Sequence, residues 1–194
     1  MAIFKTVDGV RNVVGSKNQL LNPFIILEGL GISEGMTVAD FGCGGVGYFV
    51  FAASELVGEH GKVHAIDILK TNLESVKKRL REDSIYKINT IWSNLEVYRG
   101  TNIVENSIDL GLLINILFQS EKHKEVIREV HRLIKKGGIL AIIDWKSHAI
   151  QFGPPAGNRL DKDKIINLAT MNGFRIVNEF EAGKYHYGLK FVKV

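Results

Sequence analysis

The 194-residue chain sets 25 basic against 21 acidic residues, a formal charge of +4, in a composition that is 45% hydrophobic and 24% charged. This is ordinary composition for one globular domain with a real core, and so small a net charge disfavours a nucleic-acid partner. The single Cys43 excludes an intramolecular disulfide framework and a thiol-rich metal site, which makes a cytoplasmic location the expectation.

In chain order, "MAIFKTVDGVRNVVGSKNQ" lacks the charged start and apolar core of a secretory signal, and the longest apolar run, "LGLLINILF", is too short to span a bilayer. "NQLLNPFIILEGLGI" predicts a helix laid against the core, part of an N-terminal cap over 1–35. From residue 36 onward, short β-branched or apolar runs alternate with longer helical patterns, the mark of β-α units around a parallel sheet. Strands are expected at 37–41, 62–67, 88–93, 107–114, 138–145, 174–180 and 187–194. Helices are expected near 46–57, 71–83, 121–135 and 161–172, the last capped by Asp161 and closed by Gly173. Lys77, Lys78, Arg79 and Arg81 crowd the second of these helices and read as its solvated face. Only "EAGKYH" joins the last two strands, so they form a hairpin and strand seven runs antiparallel. The expected fold class is α/β: a single Rossmann-like, doubly wound sheet of seven strands, mostly parallel with an antiparallel C-terminal hairpin strand, in one domain over 1–194. "QFGPPAGNR" reads as a loop or lid within it.

Ligands of such sheets sit at the carboxyl ends of the parallel strands. Leaving strand one is "VADFGCGGVG" at 38–47, whose Gly42, Gly44 and Gly47 satisfy the Gly-x-Gly-x-x-Gly template and alone would license a dinucleotide. Asp40 points elsewhere, because a carboxylate there suits a ligand with a free amino group and repels a pyrophosphate. The glycines let backbone approach closely, while the start of the next helix favours an anion such as a carboxylate. Amino group beside carboxylate describes an amino acid, and the methionine of S-adenosylmethionine is one. Strand two ends in Asp67, 25 positions after Gly42, where it can accept from both ribose hydroxyls; both cofactor classes share that feature. After strand three, Asn94 or the backbone of Leu95 is placed for an adenine amino group.

These residues resemble the class I S-adenosylmethionine-dependent methyltransferases over nearly the whole chain. "VADFGCGGVG" looks like that family's first motif, "HAIDI" its acidic second-strand end, "IDLGLLINIL" its fourth motif, and "HRLIKKGGILAIIDW" its sixth. The chain is similar, more narrowly, to the small ubiquinone/menaquinone-methyltransferase-like branch (methyltransferase type 11). The marks of that branch are Asn22 and Pro23, Asp144 to Lys146, Gly153 to Pro155 with Arg159, and Tyr185 to Gly188. Two positions depart from many relatives: Asn94 stands for an Asp and Phe118 for a His. The resemblance implies S-adenosyl-L-methionine as cofactor, held by Asp40, Gly42, Gly44, Gly47, Asp67, Ile68, Asn94, Leu95 and Asn115.

Methyl transfer from a sulfonium is an in-line displacement in which the protein supplies alignment and, where the nucleophile needs it, a base. Strand seven starts at the edge where strand five ends, so 184–186 and 144–148 should converge above the cofactor. His186 and His148 are the candidate bases, with Asp144 as a group that polarises the substrate donor or pairs with Lys146 or Arg159. His186 reads equally as a structural residue of the hairpin, and His148 as an exposed loop residue. Trp145, Phe152 and Tyr185 could wall an aromatic acceptor. "NILF" replaces the Asn-Pro-Pro-Tyr type tetrapeptide of base-amine methylation, and one thiol is too few for arsenic chemistry. A ribose methyltransferase would need an Asp where Asn115 stands beside Lys17, Lys146 and Glu181. The expected function is methylation of a small, apolar or aromatic acceptor. The alternatives are a non-catalytic binder of S-adenosyl compounds, an RNA methyltransferase, and an NAD-dependent dehydrogenase, which lacks its Tyr-x-x-x-Lys pair. Acceptor, attacked atom and oligomeric state are not written in the sequence.

Overall fold

The computed structural model describes residues 20–147 and 153–194. The expectations for Lys17, His148, Phe152 and the first part of the N-terminal cap therefore lie outside the described residues. Helix α1 (Pro23–Leu30) starts where the Asn22 side chain accepts from the backbone N–H of Phe24 and Ile25 at 3.1 and 3.3 Å, and ends at Gly31 with φ 86°. Proline at its first position sacrifices no helical hydrogen bond.

The strands are β1 (Thr37–Phe41), β2 (Lys62–Asp67), β3 (Ile88–Trp92), β4 (Ile108–Ile114), β5 (Ile134–Trp145), β6 (Phe174–Gly183) and β7 (His186–Lys193). They form one sheet in the order β3-β2-β1-β4-β5-β7-β6. The first five are parallel, and β7 is antiparallel to both β5 and β6. Helices α2 (Tyr48–Leu56), α3 (Lys70–Glu82), α4 (His123–Leu133) and α5 (Lys162–Met171) supply the crossovers. One apolar layer holds α1, α2 and α3 against Val38, Leu112 and Ile143; the other holds α4 and α5 against Ala39, Leu113 and Ile142. Because both faces of the central strands are covered, their sequences read as continuous apolar runs rather than alternating ones.

Strand β5 begins four residues earlier than its apolar run suggests. Ile134 already pairs with Ile108, and the ladder resumes at Ile139 opposite Leu110, so residues 135–138 bulge out around Gly137 at φ 75°. At the other end Gly183 pairs with His186, which leaves Lys184 and Tyr185 as the hairpin turn. Asp161 caps α5 as expected, accepting from Asp163 and Lys164 N–H. Three basic residues of α3 pair along their own helix: Lys77 with Glu74, Lys78 with Glu82 and Arg79 with Asp83. Among the described residues no helix is long and apolar enough to cross a membrane.

Candidate active site

Strand order reverses at β1, whose neighbours β2 and β4 lead to crossovers on opposite faces, and a cleft opens there at the carboxyl edge. The turn leaving β1 is tied to the end of β2, since Gly42 and Cys43 N–H both donate to the Ile66 carbonyl at 2.8 and 2.9 Å. Its glycines serve different ends. At Gly42, φ is 93° and a Cβ would lie 2.0 Å from Ile116 Cδ1. Gly47, the N-cap of α2 at φ 62°, is constrained by the Phe51 ring 3.1 Å from such a Cβ. A Cβ on Gly44, at φ 63°, would meet nothing within 4 Å, because this residue faces the cleft.

The cleft has two chambers that share Gly42 and Gly44. One, of about 470 Å³, is lined by Asp40, Leu20, Leu21, Ile114, Asn115 and the start of α2. The other, of about 310 Å³, is lined by Asp67, Ile68, Ser93, Asn94 and Leu95 among others. All nine residues expected to hold a cofactor thus meet in one cleft.

Its polar groups are arranged for a cationic guest. Asp40 is 4% exposed, and burial, then repulsion from Asp67, pushes its carboxyl up to about 7. Asn115 sits at φ 56°, donates its N–H to the Ile143 carbonyl at 2.8 Å, and leaves its buried Oδ1 without a partner among the described residues. Asp67 is already oriented: Oδ2 accepts from Gly44 N–H at 2.9 Å and Asn72 Nδ2 at 3.2 Å, and Oδ1 from Leu69 N–H at 2.8 Å. Among the described residues no lysine or arginine lines either chamber. Three carboxylates, Asp40, Asp67 and Glu96, with an orphaned amide oxygen and no lysine or arginine in the described lining, suit an ammonium or sulfonium and oppose a pyrophosphate. On the far wall Asn94 Oδ1 accepts from Glu96 N–H at 2.9 Å. Its oxygen thus closes a local turn with one lone pair, and the second lone pair and the NH₂ are left for a ligand.

The ends of β5 and β7 do converge. Trp145 pairs with His186, their ring centroids are 4.2 Å apart, and Lys146 N–H donates to the Tyr185 carbonyl at 2.9 Å. Neither His186 nor Asp144 lines the cleft. His186 is fully buried, and neither ring nitrogen has a partner among the described residues. Burial and then the Lys146 charge lower its pKa to about 4, so the ring is neutral at pH 7. Asp144, equally buried, accepts from Trp145 N–H at 2.8 Å, and its Oδ2 has no hydrogen-bond partner among the described residues. Burial outweighs the amides of Trp145 and Phe118 and raises it to about 6. Lys146 pairs with Glu181 instead, and Arg159 donates to the Pro154 carbonyl at 3.0 Å and the Lys146 carbonyl at 3.4 Å.

One element of the site was not anticipated from the sequence. Glu129 on α4 is fully buried and accepts from Arg99 and Thr101 N–H at 2.7 and 2.9 Å, while Arg132 grips both of its oxygens. Burial alone would raise its pKa, but these donors hold it below the ordinary range. The signal was present: Glu129 stands on the stripe of Val126, Val130 and Leu133, a charge inside an apolar face.

A family model described as a methyltransferase domain matches residues 32–182, a span that contains every cleft residue named above except Leu20 and Leu21. The chain belongs to this methyltransferase domain family. Its fold is that of the class I enzymes, and its cofactor is S-adenosylmethionine, which suits the cleft's charge and orphaned acceptor. This methyltransferase domain is 26% identical to a SAM-dependent methyltransferase from Aquifex aeolicus, with a TM-score of 0.84 over 95% of this chain and 96% of that one. It is 25% identical over 147 residues, 74% of this chain and 55% of the relative, to the demethylmenaquinone methyltransferase of Lactococcus lactis subsp. lactis. It is 26% identical over 122 residues, 62% of this chain and 47% of the relative, to the ubiquinone/menaquinone biosynthesis C-methyltransferase UbiE of Escherichia fergusonii. The chain spans about half the length of these curated relatives.

Proposed function

We propose that this protein methylates a small, uncharged, apolar or aromatic acceptor, with a quinone-type ring as the acceptor class. The observation that carries the reading is the pair Asp40 and Asn115 in a chamber lined also by Leu20, Leu21, Ile114, Phe49 and the glycine turn, with no lysine or arginine among the described residues to receive an anionic acceptor. The names of the curated relatives, which act on menaquinone and ubiquinone precursors, support the ring class.

In this reading Asp40 and the Asn115 oxygen hold the amino group, and the amides opening α2 face the carboxylate. Asp67 takes the ribose hydroxyls. Ile68 and Leu95 pack on the base, and the Asn94 NH₂ meets its edge. When bound, S-adenosylmethionine supplies an electrophilic methyl on sulfur, in line with the attacking atom. The chain's own work is alignment and the exclusion of water. His186, neutral at pH 7, and Asp144 stand outside the cleft lining, at the ends of β5 and β7, as the groups able to take up or share a proton.

The test is calorimetric titration with S-adenosylhomocysteine, S-adenosylmethionine and NAD, on the wild type and on Asp40→Ala and Asp67→Ala, followed by labelled-methyl transfer to a hydroquinone. The S-adenosyl compounds are expected to bind and NAD to fail. Asp40→Ala should weaken binding at least ~30-fold, the cost of removing one partner of a buried charged pair. Binding of NAD overturns the assignment, and cofactor binding without transfer to any ring acceptor makes the protein a non-catalytic binder.

A further inference from the structure

The adenosine chamber is built partly from a loop that no ladder holds. Between Ser93 and Ile108 the chain runs back from the carboxyl edge to start β4; Val97 N–H to the Asn94 carbonyl and Gly100 N–H to the Val97 carbonyl close local turns, Asn106 and Ser107 N–H reach the Arg132 and Leu133 carbonyls, and side chains hold the rest. Arg99, a non-glycine residue at φ 63°, and Thr101 both give their N–H to Glu129. Arg132, gripping the same carboxylate, donates to the Thr101 carbonyl at 2.9 Å and the Ile103 carbonyl at 3.4 Å. The Thr101 hydroxyl lies 2.8 Å from the Ser93 hydroxyl, and Ser93 N–H donates to the Asp67 carbonyl at 3.1 Å. Glu129, Thr101 and Ser93 are each at most 2% exposed. A relay of buried hydrogen bonds thus runs from α4 to the residue that precedes Asn94 and abuts Asp67.

We propose that Glu129 is a positioning residue for adenine. Through Thr101 and Ser93 it sets the Asn94–Leu95 wall at a fixed distance from Asp67, and so decides which purine edge the chamber accepts. The left-handed backbone at Arg99 is sterically unfavourable and persists only where its surroundings over-determine it. The Glu129 carboxylate supplies that constraint, since two amides and a guanidinium converge on its two oxygens. Released, the loop would relax and the wall would lose its register with Asp67. The ribose grip of Asp67 would survive, because its own donors, Gly44, Leu69 and Asn72, lie outside the relay.

The inference rests on the reading that an S-adenosyl compound fills the cleft, and the test separates the two. S-adenosylhomocysteine and S-inosylhomocysteine, which differ only in the base edge, are titrated into the wild type, Glu129→Gln, Thr101→Val, Thr101→Ser and Asp109→Asn. Asp109 is a control at the other end of the sheet, where it accepts from Thr37 N–H at 2.9 Å and from Lys135 Nζ at 2.7 Å. The wild type is expected to favour the adenosyl compound by about tenfold, the worth of one well-made hydrogen bond to a buried group. Glu129→Gln and Thr101→Val should lose that preference and bind the adenosyl compound about tenfold more weakly. Thr101→Ser, which keeps the hydroxyl, should retain wild-type values, and Asp109→Asn should lower Tm without moving the preference. Should Glu129→Gln fail to fold, the Thr101 pair decides. An undiminished preference in Thr101→Val, or an equal loss in Asp109→Asn, overturns the positioning role alone. If the wild type binds neither compound, the reading of the cleft falls with it.

Discussion

At the amino-terminal edge of the sheet, Lys193 is 8% exposed and donates to Asn106 Oδ1 and to the carbonyls of His131 and Ile134 at 2.7, 2.7 and 2.8 Å. At the carboxyl edge, Asp40 is more deeply buried, the Asn115 oxygen has no partner among the described residues, and the nearest charge to Asp40 is a second carboxylate. The same sheet therefore carries buried charge in two ways. Where the ammonium's three protons each meet an acceptor, the charge locks strand ends together. Where it is unmatched, the folded protein holds unfavourable free energy that a ligand of the right sign can relieve.

Breaking the satisfied end should give the largest loss of stability. Lys193→Met leaves two carbonyls and an amide oxygen buried without a donor, an expected cost of about 3–5 kcal/mol in urea unfolding. Affinity for S-adenosylhomocysteine should stay unchanged in the folded fraction, and a parallel loss of affinity would show that the two ends are coupled.

Asp40→Asn should move the other way. The native carboxyl, raised from 3.8 to about 7, binds its proton more tightly than the unfolded chain does. Wild-type stability therefore falls as pH rises from about 4 through about 7. The asparagine variant escapes this and should be more stable at pH 8, by as much as ~4 kcal/mol, with little difference at pH 4. Wild-type cofactor affinity should weaken towards tenfold per pH unit below 7, as the carboxyl that receives the ammonium is neutralised. A variant whose unfolding curves coincide with the wild type at both pH values would remove the electrostatic contrast between the two ends.

His186→Phe should have the smallest effect. It replaces an unpartnered ring with an apolar one of similar shape against Trp145, and a gain of about 1 kcal/mol is expected. Retained methyl transfer in this variant would remove His186 as the acceptor's base and leave Asp144 or water.

Much of this architecture was legible along the chain. Strands β1 and β2 end at Phe41 and Asp67 as their apolar runs do, since strands buried on both faces cannot hide their composition. That Asp40 and Asp67 would face a cleft was readable because such a sheet opens its cleft at the strand ends, and a carboxylate there has a sign before it has a neighbour. The early start of β5 was not readable, because a bulge around Gly137 is decided by what Ile134 can pair with across the sheet. Glu129 shows along the chain as a charge inside an apolar stripe, but its partners, 28 and 30 residues away, do not.

The sequence by itself determined the sheet, its hairpin and the charge of its cleft, because periodicity, turn chemistry and residue type act locally. Only the tertiary structure decided which polar groups are satisfied. It committed one lone pair of the Asn94 oxygen to its own turn, buried His186 behind Trp145, folded a loop onto Glu129 and left Asn115 waiting. Hydrogen-bond partners in a buried site are set by chain segments that meet only after folding, and no local pattern encodes where they meet.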